Sequence, residues 1–247
     1  MSNDGPRSAV FTTMLVNEQG ELADWPLHQE RLLRHAQRLR IQLPGHPPEM
    51  TKNGPAWQLV RVGCQAGSND WEIESRPITI RNENIEAISY PAPRWNARTN
   101  GTKHGDWQAY REALTVAERA GCDAALLVHD FCIVDGDRAT PLVLDEDGTV
   151  WMAHDDEGGV DGITATYLAK HLPSFGLPVM KGKLNERTVA RCSEMVLVGT
   201  GMGACRVDSL DGEVLGSSTV LSEACQELLH QHFTERSTWS TLGQRRV

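Results

Sequence analysis

The sequence predicts an α/β (α+β) protein of two domains, with a small N-terminal α/β domain and a larger C-terminal domain built on a barrel-like sheet. An apolar, β-branched run at 9–16 precedes a helical pattern that begins near residue 24. A proline-rich stretch at 90–95 separates this part from the rest of the chain. After residue 124, four short β runs alternate with turn residues, which is the spacing of a meandering sheet.

Local patterns place the elements of the N-terminal part. Asp24 stands at an N-cap position and Pro26 falls in the first turn of the helix. The apolar stripe of that helix continues at Leu32, Ala36, Leu39 and Leu43. Further strands are predicted at 57–62, 78–81 and 86–90.

The C-terminal part begins with a helix over 108–120, where Gly121 supplies a C-terminal cap. The short β runs follow at 124–129, 131–134, 141–144 and 149–154. Helices are predicted at 162–172 and 219–233, with strands at 195–198 and 204–210 between them. The last dozen residues read as a frayed tail. We expect domains at 1–90 and 99–247, joined by a linker at 91–98.

Charge and composition exclude several classes of protein. The 247 residues carry a formal net charge of −9 and no run of Lys and Arg, so nucleic acid is not an expected partner. No apolar window approaches the roughly 20 residues of a membrane span. The N-terminus lacks the apolar core of a signal peptide, and the six cysteines are scattered without a CxxC pair. These features predict a cytoplasmic protein with reduced thiols and no metal site.

Lys103 is the candidate catalytic residue. It follows the proline-rich linker and directly precedes the helix at 108–120. A lysine held there, shielded from water, can form a Schiff base with an aldehyde cofactor. The alternative is an ordinary solvated lysine in a loop.

Two segments can bind a phosphate group through backbone amides. Residues 161–164 open a helix whose first N–H groups have no partner within the helix. Residues 199–201, Gly-Thr-Gly, directly follow a strand and add a hydroxyl group. Arg31 can grip a phosphate with two hydrogen bonds, although an arginine on an amphipathic helix is also a common solvated residue. The glycine run at 199–203 is not a dinucleotide-binding motif, because a strand and not a helix follows it.

These segments, in this order, resemble the fold-type IV pyridoxal-phosphate enzymes. That family contains branched-chain aminotransferases, D-amino acid aminotransferases and 4-amino-4-deoxychorismate lyases. The residues that carry the resemblance are Phe11-Thr12-Thr13, the His-x-x-Arg-Leu step at 28–32, Lys103-His104, the strand at 120–127, Gly162-Ile163-Thr164, 193–196 and Gly199-Thr200-Gly201. The resemblance covers roughly residues 9 to 230.

The resemblance implies pyridoxal 5′-phosphate as the cofactor and assigns residue roles. Lys103 is the Schiff-base lysine and Arg31 the phosphate-binding arginine. The two phosphate loops contribute Ile163, Thr164, Gly199 and Thr200. The resemblance further implies a small-molecule amino substrate and a homodimer.

The chain departs from the family pattern at the carboxylate that holds the cofactor's ring nitrogen. Aligned on Pro141-Leu142-Val143, the family's Glu position falls on Gly136. Asp135 or Asp137 can supply the carboxylate if the strand slips or bulges by one residue. Otherwise the electron sink is weaker, and the segment is a plain turn between two strands. Ala165 stands where the family has an arginine after Gly-Ile-Thr.

The predicted reaction is conversion of 4-amino-4-deoxychorismate to 4-aminobenzoate and pyruvate, a step of folate biosynthesis. A weak ring-nitrogen partner harms this lyase less than a transaminase, because the substrate ring becomes aromatic and supplies driving force. An aminotransferase acting on branched-chain or D-amino acids is the alternative, and a catalytically impaired relative that binds the cofactor is a further one. The candidates for binding a substrate carboxylate are Arg61, Arg138 and Arg206.

Overall fold

The computed structural model describes residues 5–49 and 57–241. The strands in chain order are β1 Ala9–Val16, β2 Leu22–Ala23, β3 Gln58–Gln65, β4 Glu72–Pro77, β5 Ile85–Pro91, β6 Ala124–His129, β7 Cys132–Gly136, β8 Thr140–Asp145, β9 Val150–Ala153, β10 Val179–Gly182, β11 Leu184–Asn185, β12 Cys192–Gly199, β13 Gly203–Leu210, β14 Glu213–Val214 and β15 Trp239–Ser240. The α-helices are α1 Trp25–Leu39, α2 Gln108–Arg119, α3 Ile163–His171, α4 Glu186–Ala190 and α5 Val220–Thr234.

Contacts between Cα atoms divide the chain into two compact units. The first contains the described parts of Met1–Thr79, Thr102–Trp107 and Gln231–Val247. The second contains Ile80–Gly101 and Gln108–His230. The contacts therefore group the Lys103 segment with β1 and α1. The predicted domain boundaries, 1–90 and 99–247 around a linker at 91–98, stay a prediction.

The first unit is a five-stranded antiparallel sheet in the order β15-β2-β1-β3-β4. β1 and β3 pair along their whole length, from Ala9 opposite Gln65 to Val16 opposite Gln58. Helix α1 packs on β1 through a group of buried apolar side chains, namely Val10, Leu32, Ala36, Leu39 and Ile41. Leu32, Ala36 and Leu39 are the positions that the helical periodicity predicts, whereas the predicted Leu43 lies beyond the end of α1 at Leu39.

The second unit is a ten-stranded mixed sheet, whose main path runs β10-β9-β8-β12-β13-β5-β6-β7-β11. β5 lies parallel to β13 on one side and to β6 on the other. β7 also contacts β8 and β9, which curves the sheet towards closure and gives the predicted barrel-like form. Its interior is filled by buried side chains that include Ile85, Leu126, Ile133, Val143, Met195, Leu197 and Val207.

The structure differs from the sequence-based expectations at two places. The strand predicted at 78–81 is wrong, because residues 78–80 belong to no strand and Arg81 forms an isolated bridge with Gly203. The strand that follows β3 is β4, whose six residues are all exposed. The frayed tail predicted from residue 236 is also wrong for its described part. There, Trp239 and Ser240 pair with Ala23 and Leu22 as β15.

Asp24 occupies the N-cap position of α1, as predicted, but its side chain makes no capping hydrogen bond. Its carboxylate instead lies 2.8 Å from Nε2 of His232 near the end of α5. The residue therefore links α1 to the C-terminal segment. None of the helices within residues 5–49 and 57–241 is long and apolar enough to cross a membrane.

Candidate active site

The backbone of Lys103 is fixed on both sides within the first unit. Its N–H donates to Nδ1 of His35, on α1, at 3.2 Å. Its carbonyl oxygen accepts the N–H of Phe11, on β1, at 3.2 Å. The next residue, His104, forms an antiparallel bridge with Val10. Because a strand and a helix both hold this short segment, the lysine has a defined place.

The amine of Lys103 lies beside an aromatic surface. Its Nζ is 4.7 Å from the ring centroid of Trp107 and 5.3 Å from that of Phe11. The two rings meet edge to face with centroids 5.1 Å apart. The guanidinium carbon of Arg61 lies 4.0 Å from the centroid of the same Phe11 ring. Two cationic side chains therefore lie against one phenyl ring, an arrangement that attracts a negatively charged molecule.

Arg31 is buried in the same unit, with 4% of its surface exposed. Its Nη2 donates to Oγ1 of Thr12 at 2.9 Å, and that hydroxyl lies 2.8 Å from Nδ1 of His28. Burial lowers the pKa of His28 well below its ordinary value, and the charges of Arg31 and Lys103 lower it further. The His28 imidazole is therefore neutral beside two cations.

His104 is a second buried imidazole that stays neutral. Burial lowers its pKa to about 4, an effect that nearby Asp106 opposes and His35 reinforces. Its Nδ1 accepts the backbone N–H of Asp106 at 3.2 Å, which needs an unprotonated nitrogen. The segment around Lys103 therefore carries little added positive charge at neutral pH.

In the second unit, the structure brings together the two segments predicted to bind phosphate. Thr164 lies in the first turn of α3, and Thr200 follows β12. Their Oγ1 atoms are 3.2 Å apart. The first N–H groups of a helix have no partner within it, and its dipole favours an anion there. Hydroxyls and amides thus converge as a phosphate group requires.

Asp135 and Asp137 point to different neighbours. The carboxylate of Asp135 accepts the N–H of Val160, in the loop before α3, at 2.8 Å and that of Gly136 at 3.0 Å. The carboxylate of Asp137 accepts the N–H of Ala125, on β6, at 3.1 Å. Asp135 therefore faces the loop that leads to Thr164, and Asp137 faces the neighbouring strand.

A β-bulge explains how Asp135 reaches this position. The register between β6 and β7 shifts between Leu127 and Val128, so that Leu127 pairs with Asp135 and Val128 with Ile133. Val134 is the extra residue. At Gly136, by contrast, an added Cβ would lie 2.5 Å from the carbonyl oxygen of Ala139. A side chain at that position would displace the backbone.

The three candidate arginines occupy different surroundings. Arg138 donates from Nη2 to the carbonyl oxygen of Asp123 at 2.7 Å and lies 3.7 Å from Asp137. Arg206 is paired with Asp208 two residues along β13. Arg61 is the one that the structure places on the aromatic surface beside Lys103.

Sequence reasoning assigned no role to four side chains around Lys103 and Arg31, namely Thr12, His28, His35 and Trp107. The spacing of His28, Arg31 and His35, at i, i+3 and i+7 on one helix, is a signal that could have placed them on one face. Nothing in the local sequence indicates that Thr12 completes the group, because it lies on a strand 16 positions away from His28.

The residues present fit pyridoxal 5′-phosphate. The amine of Lys103 fits an aldehyde group, since it is the one nucleophile among these side chains that forms imines. In the first unit, the buried Arg31 fits an anionic group. In the second unit, the hydroxyls of Thr164 and Thr200 and the start of α3 do so as well. Asp135 is a buried anion fit for a protonated ring nitrogen, with 5% of its surface exposed.

Comparison with solved structures shows the class of fold. A branched-chain aminotransferase from Thermoproteus uzoniensis, with norvaline, superposes with a TM-score of 0.82 at 15% identity, over 95% of this chain and 90% of that one. A hypothetical aminotransferase from Mycobacterium tuberculosis, in its PLP-bound form, has a TM-score of 0.76 at 17% identity, over 92% and 89%. A putative 4-amino-4-deoxychorismate lyase from Legionella pneumophila also has a TM-score of 0.76 at 17% identity, over 94% and 96%. The predicted fold-type IV architecture is confirmed.

The sequence itself shows the family. The amino-transferase class IV profile matches residues 9–210, and the chain belongs to that family. Its members are pyridoxal-phosphate-dependent enzymes, so the predicted enzyme class and cofactor are confirmed. No curated protein sequence matches the chain.

Proposed function

We propose that this protein is a lyase that converts 4-amino-4-deoxychorismate to 4-aminobenzoate and pyruvate. The observation that carries the proposal is the shared Phe11 ring, with Lys103 Nζ 5.3 Å and the Arg61 guanidinium 4.0 Å from its centroid. The substrate of the lyase is an unsaturated, not yet aromatic ring that bears an amine and two carboxylates, one of them on the enolpyruvyl group. Such a molecule fits an aromatic surface that carries one cation for a carboxylate and one amine for the chemistry.

The roles of the cofactor-binding residues form part of this proposal. Lys103 would hold pyridoxal phosphate through its aldehyde group. The family resemblance assigns its phosphate to Arg31 in the first unit, and likewise to the second unit's loops that contain Ile163, Thr164, Gly199 and Thr200. Asp135, rather than Asp137, is the partner of the ring nitrogen, because its carboxylate faces the loop that leads into α3. When bound, the cofactor supplies an electron-accepting ring next to the reacting carbon.

Lys103 then acts as the general base. With the cofactor bound, its Nζ would remove the proton from the ring carbon next to the substrate nitrogen. The electron pair of that C–H bond would form the last double bond of the aromatic ring as the enolpyruvyl C–O bond breaks. Enolpyruvate would leave with the electron pair of the C–O bond and take up a proton to become pyruvate. Trp107 and Phe11 exclude water from the amine on one side. Arg61 orients the substrate through a carboxylate.

Transamination of branched-chain or D-amino acids is the second candidate function. It is favoured by the carboxylate of Asp135, since a transaminase needs a strong partner for the ring nitrogen. A relative that binds the cofactor without turnover is the third candidate. The proposal includes a homodimer, as the family resemblance implies. It also includes a location in the cytoplasm and, for the lyase, a place in folate biosynthesis.

One experiment separates these functions. The protein is incubated with pyridoxal phosphate and 4-amino-4-deoxychorismate, and 4-aminobenzoate and pyruvate are measured. Parallel incubations contain 2-oxoglutarate with a branched-chain L-amino acid or with D-alanine, and glutamate is measured. Aromatic product formed in excess of a Lys103→Ala control supports the lyase. Glutamate alone supports the transaminase, and a bound cofactor with neither product supports the impaired relative.

A further inference from the structure

Helix α1 carries three buried polar side chains on one face, His28, Arg31 and His35. Each is at most 4% exposed. Burying polar groups is costly unless each is hydrogen-bonded, so such a face needs a reason beyond packing. Arg31 and His28 meet at one hydroxyl, that of Thr12 on β1, which is itself fully buried.

The direction of these hydrogen bonds follows from the chemistry of the three groups. A guanidinium only donates, so Nη2 of Arg31 donates to Oγ1 of Thr12. The hydroxyl proton of Thr12 then needs an acceptor. Within the described ranges, Nδ1 of His28 is the acceptor in reach, at 2.8 Å. Nδ1 is therefore unprotonated, and the neutral imidazole carries its proton on Nε2.

The three groups therefore form a chain of hydrogen bonds in which Arg31 donates to Thr12 and Thr12 donates to His28. A hydroxyl that donates to an imidazole is a better acceptor for the next donor, since hydrogen bonds in a chain polarise one another. Because the guanidinium is planar and rigid, fixing one of its N–H groups fixes the plane of the whole fork. The charged groups that face His28 are Arg31, on its own helix, and Lys103 on the 102–107 segment. Both disfavour a protonated His28, which keeps the chain in this direction.

We propose that Thr12 and His28 are positioning residues, which hold the Arg31 guanidinium in the orientation that binds the phosphate of pyridoxal phosphate. This proposal rests on the proposed function, in which Arg31 is the phosphate-binding arginine. It assigns roles to two residues that contact neither substrate nor the reacting atoms.

The test compares two ligands that differ only in the phosphate group. Dissociation constants for pyridoxal phosphate and for pyridoxal are measured by absorbance titration of the apoprotein. The variant Thr12→Val keeps the shape of the side chain and removes the hydroxyl. We expect it to weaken pyridoxal phosphate binding about tenfold, the typical loss for a hydrogen bond to a charged group, and to leave pyridoxal binding within about twofold.

Conservative and control variants separate positioning from general damage. Thr12→Ser restores the hydroxyl, and we expect it to restore the preference for the phosphorylated ligand. His28→Asn keeps an acceptor and retains most of that preference, whereas His28→Leu loses it. Thr13→Val, at the next position of β1, removes a hydroxyl without changing the preference. Circular dichroism and the thermal midpoint report whether each variant is folded.

Two results would overturn the proposal, and they differ in what else they overturn. The positioning roles are rejected if Thr12→Val weakens the binding of both ligands equally, which shows a structural role alone. They are also rejected if Thr12→Val weakens the binding of neither ligand. If Arg31→Ala abolishes the preference while Thr12→Val does not, only the positioning roles fall. If Arg31→Ala itself leaves the preference unchanged, the phosphate role of Arg31 falls as well.

Discussion

The hydroxyl oxygens of Thr164 and Thr200 lie 3.2 Å apart, although 36 positions separate them in the chain. One belongs to the first turn of a helix and the other to the turn after a strand. The pair joins two glycine-flanked segments that the sequence marks separately as possible phosphate loops. Their convergence within one sheet unit is the strongest structural support for an anion site there.

Removing either hydroxyl should weaken cofactor binding. We expect Thr164→Val and Thr200→Val each to raise the dissociation constant for pyridoxal phosphate about fivefold to tenfold, the loss typical of one hydrogen bond to a charged group. The double variant should cost less than the product of the two effects, because the two groups act on one phosphate. Thr166→Val on the exposed side of α3 is the matched control. Additive effects would argue against a shared ligand.

Asp135 and Asp137 should respond differently to neutralisation. Asp135→Asn should lower turnover at least about tenfold, since the ring nitrogen loses its anion. Asp137→Asn should leave turnover unchanged and should not destabilise the fold. Burial raises the pKa of Asp137, so ionisation of this carboxyl group lowers the stability of the folded protein. The amide of an asparagine can still accept the Ala125 N–H. Steady-state kinetics and thermal unfolding check both. The reverse pattern would assign the ring nitrogen to Asp137.

Arg61 should contribute to substrate binding more than to chemistry. We expect Arg61→Gln to raise KM about tenfold or more with a smaller change in kcat, because a carboxylate contact persists from the bound substrate to the transition state. Arg76→Gln, on the exposed β4, should change neither. Equal effects of the two variants would reject a direct role for Arg61.

Glu194 should prove essential to the placement of α5. It is fully buried, and its two carboxylate oxygens accept the N–H groups of Leu221 and Ser222 at 2.7 and 2.8 Å. Glu194→Ala leaves two buried N–H groups unsatisfied, so we expect the free energy of unfolding to fall by roughly 2–4 kcal/mol. Glu194→Gln keeps one acceptor and should cost less. Chemical denaturation measures both, with Glu223→Ala on the exposed face of α5 as a control.

The stability of the protein should fall as the pH drops below about 6.5. His28 and His104 have lowered pKa values, that of His104 about 4, so the unfolded chain binds protons that the folded protein does not. Each imidazole then removes at most about 1.4 kcal/mol of stability per pH unit below its unfolded value. Urea denaturation at several pH values measures the slope. His104→Asn should reduce the slope, and His46→Asn, at an exposed position, should not.

Local patterns were sufficient for much of the fold. The predicted strands at 9–16 and 124–129 coincide with β1 and β6, because both segments are rich in apolar and β-branched residues that become mostly buried. β4 escaped prediction because all six of its residues are exposed, so it has no alternation of apolar and polar positions. β15 was not predicted because it depends on pairing with β2, which lies more than 200 positions away in the sequence.

The candidate site was predictable only where a feature is local. Glycine beside a helix start or a strand end marks the segments of Thr164 and Thr200. The different neighbours of Asp135 and Asp137 required the structure, because Asp135 lies in β7 after a bulge and Asp137 follows the end of that strand. The partners of Arg31 also required the structure, because His28 is close in sequence and Thr12 is not.

Residues 239–240 pair with the first sheet, and this pairing limits how far the protein can be shortened at its C-terminal side. β15 covers the edge of β2, Trp239 packs edge to face on Trp57, and Arg236 pairs with Glu21 at 2.7 Å. The family match ends at residue 210, ahead of α5 and this strand. A recombinant protein that ends with the family match would leave the backbone N–H and C=O groups at this edge of β2 unpaired, which promotes strand exchange and aggregation. Affinity tags are therefore better placed at the opposite terminus, and the residues up to 241 should be retained.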